Sequence, residues 1–171
     1  MPSGRLDADV RAAVVGRLHA AGQRMTMNRE ALLVALAAAP RPLTMTEILE
    51  ARPNLATSSA YRNLVVLEQA GAVHRLVTSN DFARYELAEG LTEHHHHLVC
   101  TSCGAVEDVH APDVLEESVR RAAASIQRRT GFRVDRHRVD LLGLCERCFA
   151  AGRSADGAGR ESTGVITADR A

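Results

Sequence analysis

The chain contains no lysine and no tryptophan. Its 21 basic residues are therefore all arginine, and 21 acidic residues bring the formal net charge to zero. A neutral chain has no overall attraction to nucleic acid or to an anionic membrane, so any anion must be met by a local patch. Aromatic residues make up only 3% of the sequence, so a core has to be built from Leu, Val and Ala, a composition that favours helices. No apolar run approaches the ~20 residues of a membrane span. The N-terminus carries Arg5, Asp7, Asp9 and Arg11 and lacks the apolar stretch of a signal peptide. The expected location is the cytoplasm, where thiols stay reduced, and four cysteines then point to metal rather than to disulfides.

Charge is unevenly spread. Residues 10–75 hold eight Arg and four acids, whereas residues 89–171 hold eleven Arg and thirteen acids, which favours an anionic partner for the first half. Apolar spacing predicts helices over Asp7–Ala21 and Met27–Ala39. The capping box Thr44-Met45-Thr46-Glu47 starts a short third helix through Ala51. Thr57 or Ser58 caps a fourth helix that Gly71 ends. Strand-like segments follow at 72–77 and 82–87, with Ser79-Asn80-Asp81 as the turn between them. Three helices, a solvent-facing helix and a hairpin form the order of a winged helix-turn-helix; a small helical bundle with a polar outer face is the alternative, and the order and the hairpin favour the winged helix. Ser58, Ser59, Tyr61, Arg62 and Asn63 lie on the exposed side of the fourth helix, where they can reach phosphates and base edges. Beyond the link at 88–93 the expected elements are strands at 94–100 and 105–109, a helix from Asp113 to Arg129 closed by Gly131, and a strand over 132–142. Residues 151–171 lack periodicity and read as a disordered tail.

The strongest chemical signal is Cys100-x-x-Cys103 with Cys145-x-x-Cys148. Four thiolates fill a tetrahedral zinc shell and leave no open position, so the site is structural and ties the start of the second half to its end. Four consecutive histidines, His94 to His97, precede the first pair. On a strand their side chains alternate, so His94 and His96 share one face and His95 and His97 the other, enough for two metals back to back. His74, Glu86, Glu89, Glu116, Glu117 and His137 are the candidates to complete the two shells, whereas His19 and His110 read as surface residues.

Across roughly residues 10–149 the sequence resembles the ferric uptake regulator family of bacterial metal-sensing repressors. The resemblance rests on AGQRMTMNR (21–29), TSSAYRNLVVLEQAGAVHR (57–75), ARYEL (83–87), HHHHLVCTSCGAVEDV (94–109) and GLCERC (143–148). It implies an α+β chain with an N-terminal winged helix-turn-helix domain at 1–88, a hinge at 89–93 and a small α/β dimerisation domain with a structural zinc at 94–150. It implies a homodimer that binds a double-stranded, palindromic DNA operator when loaded with metal, with Tyr61 and Arg62 at DNA and Arg24 among the candidate contacts. It places a regulatory metal at His74, Glu86, His95 and His97, and an additional one at His94, His96, Glu116 and His137. Pro42 stands where many iron sensors carry a histidine, and no fifth cysteine is present, as zinc sensors often have, so the sensed metal stays open. A shell of His and carboxylate suits Zn2+ or Fe2+, and also Mn2+ or Ni2+.

The implied function is repression of genes for metal homeostasis or oxidative stress, with no membrane and no small organic substrate as partner. The rivals are a zinc-dependent hydrolytic enzyme and a metal buffer without a DNA role. Against the enzyme, the chain holds no His-Glu-x-x-His and no deaminase signature.

Overall fold

The computed structural model describes residues 5–77 and 83–152. The turn expected at Ser79-Asn80-Asp81 and the tail expected from 151 on lie outside them, save Ala151 and Gly152. Helix α1 (Ala8–Ala20) begins at Asp7, whose carboxylate accepts the Asp9 and Val10 N–H groups at 2.9 and 3.3 Å. Helix α2 (Met27–Ala37) is capped by Thr26 and buries a continuous run, Leu32 to Leu36. A two-residue strand, β1 (Leu43–Thr44), leads into α3 (Met45–Ala51), and α4 (Thr57–Gln69) follows. Val14, Leu18, Leu32, Leu33, Ile48, Leu64 and Leu67 meet in a single core beneath α1 to α4.

Strands β2 (Val73–Val77) and β3 (Ala83–Leu87) form the expected antiparallel hairpin, and β1 adds to its far side in the order β1-β3-β2. Its register sets His74 opposite Glu86. The second sheet has the order β5-β4-β6, built from β4 (His96–Cys100), β5 (Val106–Val109) and β6 (Asp140–Gly143). Helix α5 (Asp113–Thr130) crosses from β5 to β6 and ends at Gly131, whose φ of 72° is the left-handed stop expected of it. A short α6 (Glu146–Ala150) carries Cys148.

Three expectations need correction. The fourth helix starts after Ala56, with no side-chain cap from Thr57 or Ser58. The last strand is confined to Asp140–Gly143 instead of 132–142. Its partner β4 offers a ladder only from His97 to Cys100, and before 140 the backbone contact with it is the Val139 carbonyl, which accepts the His97 N–H at 3.4 Å. The strand expected at 94–100 starts at His96.

The capping box of α3 forms as expected. Thr44 Oγ1 accepts the Glu47 N–H at 3.3 Å, and Glu47 accepts the Thr44 N–H at 2.7 Å and an Arg41 N–H at 2.6 Å. Partial burial pushes the Glu47 carboxyl up, but the Arg41 guanidinium and the Thr44 donors outweigh it and hold the group at about 2, against an ordinary 4.5. A carboxyl depressed by folding stabilises the fold above its unfolded value, and that contribution fades as pH falls from about 4.5 towards 2. Glu47→Gln should therefore remove part of the acid sensitivity in that window, read as a flatter stability–pH curve. Thr44→Ala should cost about 1 kcal/mol at neutral pH.

Candidate metal centres and DNA-facing helix

Among the described residues, three groups of His, Cys, Asp and Glu converge so that one ligand atom of each residue lies within 4.8 Å of the others in its group. The first is Cys100, Cys103, Cys145 and Cys148, all free thiols. Strand β4 delivers Cys100, and the turn after it returns through Gly104, whose N–H reaches the Cys100 carbonyl at 2.9 Å with φ at 67°. Parallel pairing of β4 with β6 sets Cys100 beside Gly143 and brings Cys145 and Cys148 alongside. A tetrahedron with Zn–S bonds of about 2.3 Å has edges of about 3.8 Å, and Cys103 Sγ lies 3.8 Å from Cys145 Sγ. Burial pushes the Cys100 thiol up, but N–H groups of Cys145, Cys103 and Ser102 outweigh it and draw it well below its usual range. The donor set and its spacing fit a thiolate-bound zinc.

The second group is Glu86, His95, His97 and Asp108. Register explains it. Antiparallel pairing sets His97 opposite Asp108, and parallel pairing sets it beside Asp140 on the other side. Glu86 arrives from β3 of the other sheet, with Oε2 at 3.0 Å from His97 Nε2 and 3.3 Å from His95 Nε2. The opposite ring nitrogens face acceptors: His95 Nδ1 lies 2.9 Å from the Glu93 carbonyl, and His97 Nδ1 lies 3.3 Å from Asp140 Oδ1. Those partners assign each Nδ1 a proton and turn two Nε2 lone pairs towards a carboxylate. Such an arrangement needs a cation between them, either a proton or a metal. Burial pushes the Glu86 carboxyl up, yet hydrogen bonds from His74, His97 and His95 hold it at about 2. Burial likewise pushes His95 and His97 down, and the surrounding acceptors raise both above their ordinary value.

The third group is His94, His96, Glu116 and His137. Glu116 Oε1 lies 2.6 Å from His96 Nε2, and its Oε2 lies 3.1 Å from His137 Nε2 and 3.5 Å from His94 Nε2. His137 Nε2 is buried and, despite that short distance, has no well-directed hydrogen bond, as an atom awaiting a metal would be. His94 Nδ1 faces Glu89 at 2.5 Å, which leaves Nε2 free to ligate. His96 fits less well, because its Nδ1 accepts the Val139 N–H at 3.3 Å and its ring proton then belongs on Nε2.

The histidines therefore divide as their alternation requires, 94 with 96 and 95 with 97, although only 96 and 97 lie within β4. Glu116, not Glu117, joins the third group. His74 does not join the second. It touches Glu86 Oε1 at 3.0 Å, on the carboxylate's other side. Asp108 takes the remaining place and was missed by sequence reasoning. The expected strand 105–109, folded back on 94–100 through a short turn, carries the register that would have found it.

On α4, Tyr61 is 49% exposed and Arg62 is exposed, with Nε donating to the Ser58 carbonyl at 3.3 Å. Ser58 and Arg24 are also exposed. Ser59 and Asn63 are differently placed. Asn63 donates to the Ser59 carbonyl at 2.9 Å and accepts from Arg29 Nε at 3.1 Å, while Ser59 Oγ accepts from Asn28 at 3.0 Å. Both tie α4 to α2. No helix among the described residues is long and apolar enough to cross a membrane.

Sequence comparison matches residues 20–142 to the ferric uptake regulator family, and the chain belongs to that family of metal-responsive transcriptional regulators. The peroxide operon regulator of Bacillus subtilis (strain 168) is 32% identical over 131 residues, spanning 74% of this chain and 85% of the relative. The ferric uptake regulator of Vibrio cholerae superposes with a TM-score of 0.60 at 26% identity, covering 76% of this chain and 98% of that one. The ferric uptake regulator of Pseudomonas aeruginosa, solved with manganese, gives 0.61 at 25% identity, covering 77% and 96%. The fold is accordingly the N-terminal winged helix followed by a dimerisation domain, and its relatives are regulators rather than enzymes.

Proposed function

We propose that this chain represses transcription by binding a double-stranded operator as a homodimer when loaded with metal. In this reading residues 1–88 form the DNA-binding unit, 89–93 the hinge and 94–150 the dimerisation and metal-binding unit. The observation that carries it is the group Glu86, His95, His97 and Asp108, because it draws one carboxylate from the winged-helix sheet and three side chains from the second half. A divalent cation there would supply the positive charge that two imidazole lone pairs and two carboxylates call for. Glu86 pairs with His74 near the open end of the hairpin, beside the link to the second half, so its position would set the angle of β2, β3 and the adjoining α4 relative to the second sheet. Zinc or ferrous iron suits this donor set, with manganese or nickel next, and zinc suits the four thiolates. His94, Glu116 and His137 form an additional site, which His96 joins once its Nδ1 carries the ring proton in place of accepting the Val139 N–H.

Tyr61, Arg62, Ser58 and Arg24 are the side chains that reach DNA, and Ser59 and Asn63 hold the helix that presents them. A twofold dimer would set two copies of α4 against successive major grooves, about 34–36 Å apart or a multiple. Helix α5 buries none of its residues in the single chain, and Val114, Ile126 and, on β6, Leu141 and Leu142 are exposed. That apolar surface favours a second copy as its cover. Likeness to a peroxide regulator adds oxidative-stress genes to those of metal homeostasis as targets to test.

The test begins with selection of bound duplexes from a random pool with metal present. Enriched sequences should show twofold symmetry. Metal should tighten wild-type binding to the selected duplex by about 5–150-fold, and His95→Ala/His97→Ala should abolish that gain. Metal dependence unchanged in the double variant would reject the reading. Arg62→Ala should weaken all duplexes alike and lower the slope of log affinity against log salt by about 1.

A further inference from the structure

Five side chains close a ring around the second group. His97 Nδ1 faces Asp140 Oδ1 at 3.3 Å, and Asp140 Oδ2 accepts from Arg138 Nη2 at 2.8 Å. Arg138 Nη1 lies 3.1 Å from His74 Nε2, and His74 Nδ1 lies 3.0 Å from Glu86 Oε1. Glu86 Oε2 returns to His97 Nε2 at 3.0 Å. Two members, His74 and Glu86, come from the winged-helix sheet, and three come from or adjoin the second sheet. Four of its members, His74, Glu86, His97 and Arg138, line a cleft of about 900 Å³ between the halves.

Donor and acceptor rules fix the direction of each link. A guanidinium only donates, so His74 Nε2 accepts from Arg138. The neutral His74 ring must then carry its proton on Nδ1 and donate to Glu86 Oε1. Both ring nitrogens are thereby engaged, and neither lone pair faces the space between His95, His97 and Asp108. Resting on the reading of that group as a metal site, we infer that His74 is a positioning residue and not a ligand: with Arg138 and Asp140 it forms a polar clamp across the two halves that aims Glu86 Oε2 and His97 Nε2 at one point. Among the described residues Glu86 is then the sole contribution of the winged-helix half to the site. Orienting partners of this kind typically change metal affinity 10–100-fold without entering the coordination shell.

Cobalt(II) is the probe, because its visible absorption reports the identity and number of its ligands. The full-length protein keeps the metal it was purified with on its thiolates, and a Glu116→Ala background removes the third group from the titration. His74→Ala should leave the cobalt spectrum unchanged in position and intensity while weakening cobalt 10–100-fold. Arg138→Gln should weaken it comparably. The two together should lose little more than the larger single loss, because they break the same chain. His74→Gln, whose amide can donate to Glu86, should recover part of the affinity and guards against a folding defect. A changed spectrum in His74→Ala would make His74 a ligand and overturn the inference, as would additive losses in the double variant. Cobalt binding that survives His97→Ala would show a different failure: the group would not be a metal site, and the clamp would have nothing to aim.

Discussion

Replacing Cys100 and Cys145 by serine should melt β4 to β6 while leaving α1 to α4 folded. The reason lies in how the two halves are stabilised. The winged-helix half buries a continuous set of Leu, Ile and Val side chains, among them Leu18, Leu32, Leu33, Ile48 and Leu64 with essentially no exposure. From His94 onward the buried apolar side chains among the described residues are Cys100, Val106 and Cys148, and α5 contributes none. So small a core cannot offset the conformational entropy of ordering a half of this size. Apparent binding free energies for structural zinc in small domains are about 10–16 kcal/mol, and where the site exists only in the folded state that energy is folding energy. The expected result is loss of amide protection confined to residues from His94 onward, in the variant or in wild type treated with a strong chelator. Full protection there without thiolates would mean that packing, or a partner copy, supplies the stability instead.

Leu64→Ala should have the opposite character. Leu64 is 1% exposed and anchors α4 to the first core, two and three residues after Arg62 and Tyr61. Truncating a buried leucine costs about 2–5 kcal/mol, with the spread set by how far the cavity collapses. The loss should appear equally with zinc or chelator present, because that core is built of apolar side chains and holds no ligand candidate. It should also reach function, since the surface that presents Tyr61 and Arg62 is only as rigid as the packing beneath it. Denaturant unfolding followed by a probe in the first half measures it. A destabilisation below about 1 kcal/mol, or one that appears only without metal, would place the anchor of α4 elsewhere.

These contrasts also explain which features could be seen in the sequence. Helices α1 to α4 were legible because their apolar residues recur at helical spacing over a well-formed core, and the box at Thr44 and Glu47 is a local pattern. The start of α4 was not, because Ala56 caps it with backbone geometry alone. Strand β1 has two residues, too few for any period to show, and exists because β3 offers it an edge. The division of the four histidines followed from alternation, which survives even where the ladder has not yet begun. Asp108 and Asp140 carry no local signal. Each meets His97 only through strand register, one antiparallel and one parallel, and register belongs to the sheet and not to any local motif. The same holds for Ser59 and Asn63, which share the polar side of α4 with Tyr61 but are held by Asn28 and Arg29 of α2.

The central claim is that one cation site joins the two halves and that its occupancy sets the presentation of α4. Linkage makes the claim reciprocal: if metal tightens DNA binding by some factor, DNA must tighten metal by the same factor. The measurement is metal affinity of the wild-type protein with and without saturating selected duplex, alongside DNA affinity with and without metal. The account predicts equal ratios, within about 5–150-fold, and their joint collapse towards one in Glu86→Ala. Metal affinity that is indifferent to DNA, or a ratio that persists without Glu86, would contradict it.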